Sequence, residues 1–190
     1  MSATNAPFGM RPAFHPSGLD RAVCTVDGIL STYSSAILKG QPVKLATTGV
    51  IQVAAAGDAF VGAFAGVEWT DTTGRRRVSN NWPASTAYVA GSCNAYYYTD
   101  PNIVYEMQTD GTVAQTIIGA MTDLSNTTDG STTTGLSACT LNATPAAAGA
   151  SAQMQVLNLA PYADNAWGDA YVILQVRINE SQVNASINGV

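Results

Sequence analysis

Apolar runs of strand length recur along this chain between Gly-containing turn pairs, and no apolar pattern keeps a 3.6-residue period for three helical turns. Candidate strands cover 22–26, 41–45, 50–54, 59–69, 87–90, 95–98, 103–108, 136–141, 154–159 and 170–178. Between them lie Thr48-Gly49, Gly57-Asp58, Thr73-Gly74, Asp110-Gly111, Asp129-Gly130 and Gly168-Asp169, which supply the positive φ that tight reversals need. Hairpins at such short spacing predict an all-β chain with little helix, built as a jelly-roll-like domain, a small β-barrel or a sandwich. No internal repeat of fixed period points to a solenoid or propeller.

Within 60–69 a period of two puts Phe60, Gly62, Phe64, Gly66 and Glu68 on one face and Val61, Ala63, Ala65, Val67 and Trp69 on the other. Both faces are apolar enough for burial, and the glycines read as points where a strand bends rather than as ligand contacts. Over 112–124 the pattern fits a short helix face or a strand, and the β-branched run Thr116-Ile117-Ile118 favours a strand entering at Ile117. The Thr-rich stretch 125–135 and the Ala-rich stretch 143–152 read as loops, giving a loop-rich insert over 125–152.

Residues 1–20 read as an extended N-terminal arm ahead of one domain over 21–190. Pro7, Pro12 and Pro16 alternate there with Phe8, Met10, Phe14 and His15. The prolines exclude helix and ladder pairing, while large apolar side chains favour ordering against a surface. That surface belongs either to another molecule or to an end of the chain's own domain.

Charge narrows the partners. The chain has 8 Lys and Arg against 13 Asp and Glu, a net charge of −5, so it lacks the cationic surplus that nucleic acid or an anionic membrane surface requires. Gln52 and Asp58 break the apolar stretch between Val50 and Val67, and no run reads as a membrane span. The first residues lack the basic start and unbroken apolar stretch of a signal peptide, which predicts residence in a cytosol. Cys24, Cys93 and Cys139, odd in number and far apart, read as buried thiols rather than a disulfide framework. The Asn-X-Ser/Thr triplets at Asn126, Asn142, Asn179 and Asn184 then read as by-products of composition.

Catalysis needs an activated group. His15 is the only histidine and lies in the arm, which disfavours a Ser-His or Cys-His system. Glu68, Glu106 and Glu180 fall in or beside strands, and most aspartates sit in turns as turn formers. Neither zinc spacing, nor a calcium loop, nor a Gly-rich phosphate loop is present, so no metal, no cofactor and no enzymatic activity are expected. Arg75-Arg76-Arg77 concentrates three of the cations after a turn, either as a solvated hairpin tip or as a contact for a carboxylate-bearing partner. Tyr96 and Tyr98 share a strand face opposite Tyr97; with Trp69, Trp82 and Trp167 they suit a core or a subunit interface, with carbohydrate stacking as the alternative.

Three segments in order carry a resemblance: Gly40-Gln-Pro-Val-Lys-Leu45 leading into Gly57–Trp69; Asp100-Pro-Asn-Ile-Val-Tyr-Glu-Met-Gln108; and Asn165-Ala-Trp-Gly-Asp-Ala170 with Val176-Arg-Ile-Asn179. Together they resemble the head decoration, or cement, proteins of tailed bacteriophages. The resemblance implies a barrel or jelly-roll subunit, usually a homotrimer, seated on the outer surface of the capsid where coat subunits meet. Its partner is then the major capsid protein, and its location the virion surface after synthesis in the host cytoplasm. On this reading Phe8, Met10 and Phe14 dock into coat grooves. Arg11 and Arg75–Arg77 pair with coat acids, His15 belongs to the same capsid-binding set, and Tyr96, Tyr98 and Trp82 serve self-association. The alternative is a receptor- or carbohydrate-binding β module of a virion surface, using Tyr97 or Trp82.

Overall fold

A computed structural model describes residues 2–18 and 28–184 and the backbone path of 22–26. Its strands are β1 (Arg11–Phe14), β2 (Ala22–Val26), β3 (Pro42–Leu45), β4 (Ile51–Val53), β5 (Gly62–Thr70), β6 (Arg76–Ser79), β7 (Asn94–Tyr98) and β8 (Val104–Gln108). They continue as β9 (Met121–Thr122), β10 (Leu124–Ser125), β11 (Gly130–Ser131), β12 (Leu136–Ser137), β13 (Thr140–Leu141), β14 (Met154–Leu159) and β15 (Ile173–Ile178). One 3-10 turn, Gln115–Ile117, is the only helical element among the described residues. The chain is all-β.

Two antiparallel sheets dominate. One runs β1-β8-β15-β14-β9; the other runs β2-β7-β5-β3-β4, with β6 also paired to β5. Both are open, each with two edges, so they stack as a sandwich. Between them lies a first core, where Phe60, Ala63 and Tyr98 of the second sheet meet Tyr105, Met107, Val156, Leu174 and Val176 of the first. A second core covers the far face of the β5 sheet, with Val43, Phe64, Val67 and Trp69 packed against Ile29, Ile37, Trp82 and Cys93. Trp82 is fully buried there, edge-on to Trp69 and Tyr88 at centroid distances of 5.4 and 5.9 Å. Its indole N–H finds no acceptor among the described residues, a cost of about 1–3 kcal/mol that burial of the large ring offsets.

Strand β5 thus serves two cores, and it does so without strict alternation. Val61, Phe64, Val67 and Trp69 all face the second core, whereas Phe60 and Ala63 face the first. The phase slips once at Gly62 and again between Phe64 and Gly66, where the pairing with β7 is irregular. At Gly62 the backbone of β7 comes so close that a Cβ would lie 1.4 Å from the Tyr98 carbonyl oxygen. The bend expected at these glycines is present; the uninterrupted two-face pattern is not, because each bulge turns the following residues over.

The expectation that prolines keep the arm out of a ladder is overturned. Arg11–Phe14 pairs antiparallel with β8, Pro12 opposite Tyr105, on the outer edge of its sheet, where a missing N–H can face away from the ladder. Upstream, the Tyr171 N–H donates to the Ser2 carbonyl, and Gln108 bonds Thr4 and Ala6. The arm therefore packs on its own domain. Over 112–124, the 3-10 turn holds Ile117 in the core and Gly119, at φ +84°, starts a new direction before β9, so no strand enters at Ile117. Residues 87–90 form only a bridge from Tyr88 to Asp71. The predicted strand 136–141 divides between β12 and β13, which pair in separate two-stranded sheets; β10 and β11 put short strands into a stretch expected to be loop. Cys93 and Cys139 are buried, as expected of packed thiols, and burial pushes the Cys139 thiol up. The Cys24 side chain lies outside the described residues.

Two glycine substitutions separate close approach from turn conformation. Gly62→Ala should cost about 4 kcal/mol or more, because backbone must move, whereas Gly49→Ala, at φ +81° in open space, should cost about 1 kcal/mol. Urea unfolding of the two variants against wild type measures the difference.

Candidate functional site

The arm residues proposed as docking groups have different fates. Met10 is 1% exposed, sealed into the first core with its N–H donating to the Gly40 carbonyl at 2.8 Å, so it is no external anchor. Phe8 is half-buried beneath the Arg11 guanidinium, whose carbon lies 4.4 Å from the ring centroid. Phe14 stays exposed at 46%, on the last residue of the edge strand. The His15 Nε2 atom sits 3.0 Å from Asp100, and its Nδ1 accepts from the Ser17 N–H. The Asn102 N–H, followed by the His15 neighbour, holds the Asp100 carboxyl below its usual range.

Arg11 is engaged within the chain. Its Nη2 donates to Glu106 Oε2 and to the Tyr162 hydroxyl, each at 2.7 Å, and that hydroxyl donates to the same Glu106 oxygen at 2.6 Å. The bond to Glu106, then burial, pushes the Tyr162 phenol above its ordinary range. Glu106 is nearly buried on β8 opposite Arg11 on β1, so the triad closes the arm onto the sheet. Tyr162 carried no sequence signal, because its loop approaches β8 only after β14 and β15 have paired.

The arginine triplet is also half satisfied from within. Arg76 pairs with Glu68 at 2.6 Å and Arg77 with Asp71 at 2.8 Å, across the β5–β6 hairpin. The Arg75 guanidinium makes no ion pair among the described residues. Exposed pairs of this kind contribute little to stability. Beside them Val78 stands 77% exposed, a surface the charge pattern alone did not single out.

The self-association group divides likewise. Trp82 is wholly interior and cannot form an interface, and Tyr97 is buried, so neither offers a face for a sugar ring. Tyr96 and Tyr98 are half-buried, Tyr98 against the first core.

What the linear pattern did not bring together is a groove of about 410 Å³ beside β1. Phe8 and Arg11 form one wall, Lys39 and the 48% exposed Leu136 the other, half-buried Pro12 and Tyr98 border it, and Met10 and Phe64, each 1% exposed, add almost no surface. The second wall is fixed by the backbone, the Lys39 N–H donating to Gly135 O at 2.9 Å and the Ser137 N–H to Lys39 O at 3.0 Å. Among the described residues no group of three or more His, Cys, Asp or Glu is arranged to hold a metal ion. Comparison with known proteins finds no matching family model, no matching curated protein and no matching solved structure.

Arg11→Ala leaves Glu106 with one partner and should cost about 1–2 kcal/mol, reduced by the exposure of the guanidinium; Tyr162→Phe should cost about 1 kcal/mol. The double variant should depart from their sum by about 0.5 kcal/mol or more in urea unfolding, because the groups share one oxygen.

Acid should loosen the hairpin. The Thr73 hydroxyl, the Arg75 N–H and the Arg77 guanidinium hold the Asp71 carboxyl well below its ordinary 3.8. The folded state therefore binds its proton less readily than the unfolded state. The associated stability is complete above about pH 5 and declines as pH falls through and below 3.8. Asp71→Asn should flatten the acid limb of a stability-against-pH curve while leaving its slope near neutrality unchanged.

Proposed function

We propose that this chain is a non-catalytic β module that works by binding, and more particularly a structural protein of a virion. It binds the outer surface of an assembled capsid and clamps neighbouring coat subunits, as a homotrimer made in the host cytoplasm. The observation that carries this reading is where the resembling segments fall in the fold. Residues 40–45 and 57–69 contain β3 and most of β5, residues 100–108 contain β8, and residues 176–179 contain the end of β15. These strands frame both sheets. Residues 165–170 supply the turn before β15, where buried Asn165 donates to the Ala160 and Ile173 carbonyls and accepts from the Ile173 N–H. The resemblance is thus spread over the frame rather than over one exchangeable loop.

Mechanistically a clamp needs no activated group. It binds the lattice and not the free coat subunit, so it stabilises the shell by mass action, and repetition over the surface raises the barrier to rupture. A surface folded in advance suits this role, because the arm is already paired with β8 and little ordering entropy remains to be lost on binding. The net charge of −5 fits an exterior position away from packaged nucleic acid.

The direct test is cosedimentation with preformed, undecorated phage heads, with solution mass measured by sedimentation equilibrium. The expected results are saturable binding, shells that rupture at higher temperature, and a mass near three times 19.7 kDa. A monomer that stays in the supernatant at every concentration would remove the proposal.

A further inference from the structure

We infer that the groove beside β1 is a receptor for an extended segment of the partner protein, one that inserts a large apolar side chain next to a carboxylate. This rests on the capsid-binding reading for the partner's identity only, and it reverses the direction of insertion expected from the arm. Met10 is sealed in the core, and Phe8 does not project toward a partner but forms a wall of a cavity of about 410 Å³.

Three observations define the occupant. The apolar lining that has surface to offer is half-buried Phe8, Pro12 and Tyr98 with Leu136 half exposed at the rim, which suits one large apolar side chain. The charged lining is entirely cationic: Arg11 and Lys39 border the groove and no carboxylate does. Those two cations differ, since Arg11 is already paired with Glu106 while Lys39, exposed on the opposite wall, makes no ion pair among the described residues. In a chain with an acidic excess, an apolar groove edged by cations complements an apolar side chain flanked by an acid.

The walls are also built before the ligand arrives. Arg11 is clamped over Phe8 by Glu106 and Tyr162, and Lys39 is held between Gly135 and Ser137 through backbone bonds. A partner segment therefore meets a groove whose ordering is complete, in keeping with recognition by pocket and charge.

The probes are blocked decapeptides with a central Phe and an Asp two residues away, and matched peptides carrying Lys for that Asp or Ser for that Phe. Fluorescence anisotropy with the full chain should show the Phe-Asp peptide binding at least tenfold tighter than either match. Lys39→Glu and Leu136→Glu, both at exposed positions, should each weaken it at least tenfold, and Arg75→Glu on the distant hairpin should not. Thermal unfolding of each variant near wild type shows that the fold is kept. Equal binding of the three peptides, no binding at millimolar peptide, unchanged binding by both groove variants, or displacement by laurate at tighter affinity than the peptide each overturns the inference. Cosedimentation separates this from the broader reading. Shell binding that persists in both groove variants rejects the groove as the capsid contact. Peptide binding with no wild-type shell binding rejects the capsid reading and leaves the groove standing.

Discussion

Everything in this molecule is arranged around the near-contact of β5 with β7 at Gly62. A strand shared by two cores must put apolar side chains on both faces, yet regular alternation would commit each residue to one face for its whole length. Slips at Gly62 and between Phe64 and Gly66 break that alternation, so Ala63 faces the first core although Val61 faces the second, and Val67 joins Phe64 on the Trp82 side. The slip at Gly62 requires a residue with no side chain, since Tyr98 O occupies the space a Cβ would take. The position of Tyr98, half-buried against the first core, follows from that packing.

The arm illustrates a second constraint. Proline removes a donor, and a segment with three prolines looks unfit for a sheet until the sheet's edge is considered. At an edge one row of backbone groups has no partner to lose, so Pro12 fits opposite Tyr105 while Met10 delivers its side chain to the core. The same placement protects the sheet, because a proline-bearing edge is a poor template for further strand addition. An arm held in this way cannot also be a free tether, and what it contributes to the exterior is the surface that it builds.

Much of the fold was legible because its signals are local. Turn pairs such as Thr48-Gly49 act within a few residues, and the all-β class followed from them; that both faces of β8 would be buried, Val104, Glu106 and Gln108 as well as Tyr105 and Met107, was not legible. The insert at 125–152 was only partly legible: β11 pairs with β12 and β10 with β13 in two small sheets, and two-residue strands carry no periodic signature. The site was less legible still. Arg11 and Phe8 stood out by type, but Lys39, Leu136 and Tyr162 are ordinary residues of their stretches. They acquire meaning only when a parallel bridge joins Lys39 to Leu136 and a loop carries Tyr162 to Glu106. No pattern confined to one segment encodes such meetings.

Electrostatics distinguishes the groove from the arginine hairpin, although the hairpin holds more charge. Arg76 and Arg77 are already bonded to Glu68 and Asp71, so an incoming carboxylate there exchanges one partner for another. Such exchange at an exposed, salt-screened site steers encounter and alters on-rate more than it deepens affinity. At the groove Lys39, without an internal acid, stands with the apolar surface of Phe8, Tyr98 and Leu136, and a bound segment would displace water from both at once. Desolvation strengthens the charge contact just where apolar burial supplies the driving force. On the proposed binding role the hairpin would act at a distance and the groove in contact.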